Sequence, residues 1–208
     1  MLKTGFQSIS IALSAALFMS ACQNSGSTNK NKAPKLEQKA EKTRDYLAEG
    51  TKVTQATQAA LLSEVSSAMQ RGGTTEAIAY CNVEAMPLTD SLSQHYQLSI
   101  QRIAMRNRNP ENHLASAQDS AVWDKYRRKL ENEQRPEAMV VKDGGRHYFY
   151  KPIILGMETC LKCHGEPGQE VSQATQMALD SLYPADRALH FEIGDLRGMW
   201  KLSFDDQG

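Results

Sequence analysis

The chain has 208 residues, with 24 Lys plus Arg against 24 Asp plus Glu, zero formal net charge and 40% hydrophobic residues. A balanced chain without basic blocks offers no phosphate-binding stripe, so a nucleic-acid partner is excluded from the expectations. About 170 residues beyond the N-terminal stretch suit one domain with a single core, large enough to bury a cofactor.

Residues 1–21 read as an export signal rather than a packed element. Lys3 precedes an apolar run from Ile9 to Met19, which is shorter than the roughly 20 residues a permanent bilayer helix needs. The run ends in Met19-Ser20-Ala21-Cys22, small residues before a cysteine that resemble a bacterial lipobox, although Met19 stands where Leu is commoner. Cys22 is therefore expected to carry lipid, with the polar stretch 22–34 as a tether and membrane attachment through the anchor. Gln23 lacks the aspartate associated with inner-membrane retention, so a cell-envelope lipoprotein facing the periplasm is expected, on the outer membrane if the host has two. Residues 35–208 are left for a single domain.

From Lys35 to Gln70 the chain has no Pro and one Gly, and it is rich in Ala, Leu, Glu, Lys and Gln, which predicts a long N-terminal helix. Val53, Ala56, Ala60, Leu61 and Val65 give it one buried stripe, and Arg71-Gly72-Gly73 ends it. Thr74 or Thr75 can cap a second helix through Cys81, on which Ile78 and Cys81 share a face. Leu98 to Ile103 alternates like a strand and leads to the polar loop Arg106 to Pro110. A third helix is predicted over 116–134. Ala138 to Val141 and Arg146 to Leu155, joined by Asp143-Gly144-Gly145, predict a hairpin. A short helix over 172–182, a break at Tyr183-Pro184, a turn over Gly194 to Gly198 and a last strand over 199–204 complete the order. Helices first and antiparallel strands later indicate an α+β fold, with a sheet covered by helices on one face.

The four cysteines must each be assigned in an exported chain. Cys22 goes to lipid, and Cys160 and Cys163 belong to Cys160-Leu161-Lys162-Cys163-His164, which leaves Cys81 without a partner. The spacing C-x-x-C-H serves haem c: two thiols one short turn apart can add to the two vinyl groups while the following imidazole reaches the iron. A redox C-x-x-C would need no following His, and a zinc site would need a second ligand pair that the chain does not offer. One motif predicts one covalent haem c, with His164 as an iron ligand. For the opposite side of the iron, residue type leaves Cys81, the nine methionines, His95, His113, His147, His190 or an open site.

Four stretches together resemble an exported family of mono-haem c-type proteins with a PAS-like fold, long labelled a domain of unknown function. They are Ala77 to Cys81, Arg106-Asn107-Arg108-Asn109-Pro110 with Asn112, Cys160 to Gly165, and Tyr183-Pro184 followed by Gly194 to Gly198. The resemblance implies a PAS-like antiparallel sheet and implies that Cys81 binds iron opposite His164, with Met86 as the methionine alternative and His95 as the histidine one. A His164/Cys81 pair would give a low-potential haem, since a thiolate stabilises ferric iron. Arg106, Arg108, Arg146 and Arg197 are candidate propionate partners, of which Arg106 and Arg197 fall in the resembling stretches. Tyr148, Phe149, Tyr150 and Trp200 are candidate pocket aromatics. The expected function is electron transfer in the envelope with an unidentified redox protein partner. The alternative is a haem-based redox or gas sensor that reports through a signalling partner. An enzymatic role would require an open iron site and a distal acid-base pair, for which His95 and His113 are the only suggestions.

Overall fold

A computed structural model describes residues 44–204. Helix α1 (Tyr46–Tyr96) is followed by strand β1 (Ser99–Ile103), a 3₁₀ turn at Pro110–Asn112, α2 (Ala117–Glu131), β2 (Met139–Asp143), β3 (Arg146–Ile154), α3 (Glu158–His164), α4 (Gln173–Leu182) and β4 (Leu196–Phe204). The fold is α+β, with the long N-terminal helix and the PAS-like antiparallel sheet that were expected. The export signal, Cys22, the tether and residues 35–43 lie outside the described residues.

Helix α1 starts at Asp45, whose Oδ1 accepts the amide of Ala48 at 3.0 Å and satisfies one of the donors that a helix start leaves open. Its first half presents Val53, Thr57, Leu61 and Ala68 as a buried stripe. Gly72 and Gly73 depart from helical dihedrals, and Gly73 adopts φ 72°, a region natural to glycine. The predicted stop is thus a break, after which the chain re-enters the helix and runs past Pro87 to Tyr96. Pro87 is exposed, so the carbonyl it leaves without a partner is near water. Thr74 and Thr75 do not cap a new helix. Thr74 Oγ1 is 2.6 Å from Thr175 Oγ1 on α4, and Thr75 Oγ1 donates to the Gly72 carbonyl.

The sheet runs in the order β1-β4-β3-β2, antiparallel throughout. Gly144 and Gly145, at φ 56° and 84°, form the two-residue turn that the sequence predicted between β2 and β3. Because side chains alternate along a strand, each face gathers its own core. Ile100, Phe149, Trp200, Leu202 and Phe204 meet α1 through Val53 and Leu61, whereas Ile103, Tyr150 and Met199 meet Val122, Trp123 and Tyr126 of α2. Helices therefore cover both faces, not one. Strand propensity predicts a sheet without saying which helix takes which side.

Helix α2 carries a capping box, in which Ser116 Oγ accepts the Asp119 amide while Asp119 accepts the Ser116 amide. Asp119 is fully buried and also receives Tyr150 Oη at 2.7 Å and Lys201 Nζ at 2.8 Å. The predicted turn over Gly194 to Gly198 is shorter than expected, since β4 already begins at Leu196. Ile154 pairs with Leu196 while Ile153 pairs with Gly198, so Arg197 is the extra residue of a β-bulge. Gly198 is needed there because a Cβ would sit 3.1 Å from the Ile103 carbonyl oxygen. Among the described residues, no helix is long and apolar enough to cross a membrane.

Candidate functional site: the C-x-x-C-H helix and its arginine surround

Strand β3 leads within a few residues to α3, a short helix that holds the whole motif. Cys160 and Cys163 are three apart and so share one face of α3. Neither is disulfide-bonded. Cys160 packs beside Leu155, Ala188 and Phe191, while Cys163 packs beside Ile78, Val171, Leu179 and Tyr183. The two thiols therefore front two neighbouring apolar clusters, the setting an apolar ring would need.

The segment after α4 straps this helix down. The amides of His190 and Phe191 donate to the carbonyls of Gly165 and His164 at 3.0 and 2.9 Å. His164 Nδ1 lies 2.9 Å from the Ala188 carbonyl oxygen. A carbonyl only accepts, so Nδ1 carries the proton and Nε2 keeps its lone pair. Burial, with the nearby Arg197 and Arg108 charges, holds His164 well below the ordinary histidine range, so the ring is neutral at physiological pH. A neutral imidazole whose other nitrogen is anchored to a carbonyl is the arrangement of a metal-binding histidine.

Arg108 ties the strap to the motif. Its Nε donates to Asp186 at 2.9 Å and its Nη2 to the carbonyl of Cys163 at 2.5 Å, and Asp186 in turn accepts the Ala188 amide at 2.7 Å. Arg106 lies 3.6 Å from the Phe191 ring centre and reaches the His190 carbonyl at 3.4 Å. Arg197, aimed by the bulge, donates through Nη1 to the Arg106 carbonyl, but its buried Nε has no partner. Burial and the charges of Arg108 and Arg102 pull Arg197 down to about 9, so it remains cationic at neutral pH.

Cys81 is half-buried on the second half of α1. It is close enough to Arg102, Arg108, Cys163 and Tyr183 for their charges and its own to act on one another. Burial raises its thiol pKa more than Arg102 and Arg108 lower it, so without a metal it is protonated at neutral pH.

The structure thus brings Cys81, Cys160, Cys163, His164, Arg106, Arg108 and Arg197 to one region. Met86 follows Cys81 on α1 and lines a cleft beside β1. Other candidates stand elsewhere. Arg146 is at the hairpin turn opposite Asp143, His95 is exposed in the last turn of α1, His113 bonds the Pro110 carbonyl, and His147 stacks on Tyr46. His190 is near the motif but exposed, with Nδ1 paired to Glu166 at 2.7 Å. Phe149, Tyr148 and Tyr150 are core residues of the two sheet faces. Trp200 is also core, although Arg102 lies 5.9 Å above its ring. No three His, Cys, Asp or Glu residues gather as a metal cluster among the described residues.

Sequence reasoning passed over Arg102, Asp186 and Phe191. Arg102 could have been found, since alternation in Leu98 to Ile103 puts it on the apolar face with Ile100.

Fold and site together define an α+β domain that presents a strapped C-x-x-C-H helix to a half-buried group of arginines. Residues 23–204 match the Tll0287-like family (Tll0287), and the chain belongs to that family. Among solved structures, it is similar to one titled as the crystal structure of the cyanobacterial heme-protein Tll0287. That match has 20% identity and a TM-score of 0.49, over 70% of this chain and 94% of that one. No curated protein matches in sequence.

Proposed function

We propose that this protein is a mono-haem c-type cytochrome of the cell envelope that transfers electrons at low potential. The observation that carries the reading is the bond from His164 Nδ1 to the Ala188 carbonyl, which leaves Nε2 free directly beside two reduced cysteines. The residues fit the group. Cys160 and Cys163 would each add S–H across a vinyl group, giving two thioethers with no net redox change. His164 would bind iron through Nε2. The unpartnered Arg197 Nε would meet a propionate carboxylate, with Arg106 beside it. When bound, haem supplies a one-electron ferric/ferrous couple.

Cys81 is proposed as the residue that would join His164 in holding the iron, supported by its position beside Cys163 and two arginines. A coordinating thiol gives up its proton, and the resulting thiolate favours ferric iron. The strap and Arg108 tie the motif helix down through hydrogen bonds and an ion pair, which suits electron transfer. Attachment to the membrane through lipidated Cys22 and an unidentified redox protein partner belong to the same proposal.

The test uses protein made with haem c maturation. Intact mass should show one haem that survives denaturation and is lost in Cys160→Ser/Cys163→Ser. Cys81→Ala should change the ferric spectrum and raise the reduction potential. A ferric spectrum unchanged by Cys81→Ala would remove Cys81 as ligand. Carbon monoxide binding to the reduced wild type, with loss of the thiolate spectrum, would move the function from carriage to sensing.

A further inference from the structure

Arg102, Arg106, Arg108 and Arg197 act on the same small region, yet among the described residues the carboxylate that pairs with any of them is Asp186 alone. Arg108 takes it, and Arg106 is settled on Phe191 and the His190 carbonyl. Arg102 has neither kind of partner. Its side chain makes no hydrogen bond or ion pair with any described residue, and among ring contacts only Trp200, 5.9 Å away, faces its guanidinium. Arg102 is half-buried, and a cation partly withdrawn from water without an anion is unfavourable, which a ring contact compensates only in part.

Arg102 projects from β1 on the same face as Ile100, toward α1, and lines a cleft of about 300 Å³ with Met86, Thr89, Ser93 and Gln101. Asp90 and Glu111 also line it, but both are exposed and neither comes within ion-pair distance of Arg102. The cleft's wall on α1 belongs to the same half-helix as Cys81, whose thiol lies within reach of the Arg102 charge.

We infer that Arg102 is a carboxylate-binding residue and that its ligand is one of the two haem propionates. The inference rests on the haem reading above. A guanidinium presents a planar fork matched to a carboxylate, and the cleft gives that carboxylate both a cation and an edge of solvent. Arg197, turned inward by the bulge and short of one partner, is left for the second propionate. Two guanidinium groups without counter-charge then meet two carboxylates.

The test is made on haem-loaded full-length protein carrying Arg102→Gln, Arg102→Lys or, as a control at the distant hairpin, Arg146→Gln. Ferric-minus-ferrous infrared difference spectra report the propionate carboxylates, and optical titration reports the potential. Arg102→Gln should alter the propionate bands and shift the equilibrium about tenfold toward ferric, or about 59 mV for one electron. Arg102→Lys should restore the potential in part without restoring the bidentate band, and Arg146→Gln should change neither. Unchanged bands and potential in Arg102→Gln with haem still attached would overturn this inference alone. So would a wild-type potential that responds to added acetate or phosphate through Arg102, because the site would then hold a free anion. A wild type that takes up no haem would sink both readings. If Arg102→Gln does not fold, the Arg102→Lys bands decide the matter.

Discussion

Replacing Arg108 with Met should loosen the strap that positions the acceptor of His164. The Arg108–Asp186 pair is 2.9 Å long, and its side chains are only 12% and 7% exposed, so solvent screens it little. Removing one partner of a buried pair costs about 3–5 kcal/mol, because the other charge stays buried without compensation. Arg108 also closes the hydrogen bond to the Cys163 carbonyl. Against this, its loss relieves repulsion on Arg197, which places the net effect near the lower end, about 3 kcal/mol. With a urea dependence of about 2 kcal/mol per molar, the unfolding midpoint should fall by about 1.5 M, measured by far-ultraviolet circular dichroism on identically prepared proteins. A fall under about 0.3 M would refute the argument, since it would mean the pair contributes no more than an exposed one.

Two further tests address the frame that carries the site. Gly50→Ala puts a Cβ 2.4 Å from the Phe149 ring at the junction of α1 with the sheet, where the ring is fully buried, so a loss of about 2–3 kcal/mol is expected in the same denaturation assay. Burial pushes the Asp119 carboxyl up, but the bonds from Lys201, Tyr150 and Ser116 with the Lys201 charge outweigh it, and its pKa is lowered on folding. Its contribution is therefore full above the unfolded value of about 3.9 and is lost as pH falls through the lower folded value. The stability gap between wild type and Asp119→Asn should be constant from pH 7 to about 5 and close at lower pH; a gap constant down to pH 2 would contradict it.

What could be read in advance divides along a physical line. The motif and the hairpin glycines were legible because their chemistry is satisfied by residues a few positions apart. Arg106, Arg108 and Arg197 were named from the sequence, but Arg102 and the lack of counter-charge at Arg102 and Arg197 were not, because that lack exists only once β1, β4 and the strap come together. Arg108 shows the same thing from the other side: its sequence context suggests a ligand partner, and its neighbour 78 positions away makes it a clamp. The break in α1 at Gly72-Gly73 and the helix after it were read from local propensity, whereas the run of that helix past Cys81 and Pro87 to Tyr96 was not. The Gly194 to Gly198 stretch looked like a turn from its two glycines, while Gly198 serves close strand packing instead.

The glycine pair in α1 also separates two phases of rotation. An α-helix advances about 100° per residue, so in an unbroken 51-residue rod any inserted or deleted residue before Cys81 would swing its thiol around the axis. With dihedrals at 72 and 73 free to absorb such a change, the first half can drift in length against the sheet while Cys81 keeps its azimuth. Only the stretch from Thr74 to Tyr80 carries that angular constraint, which makes it the part of the long helix where residue count, rather than residue type, matters most.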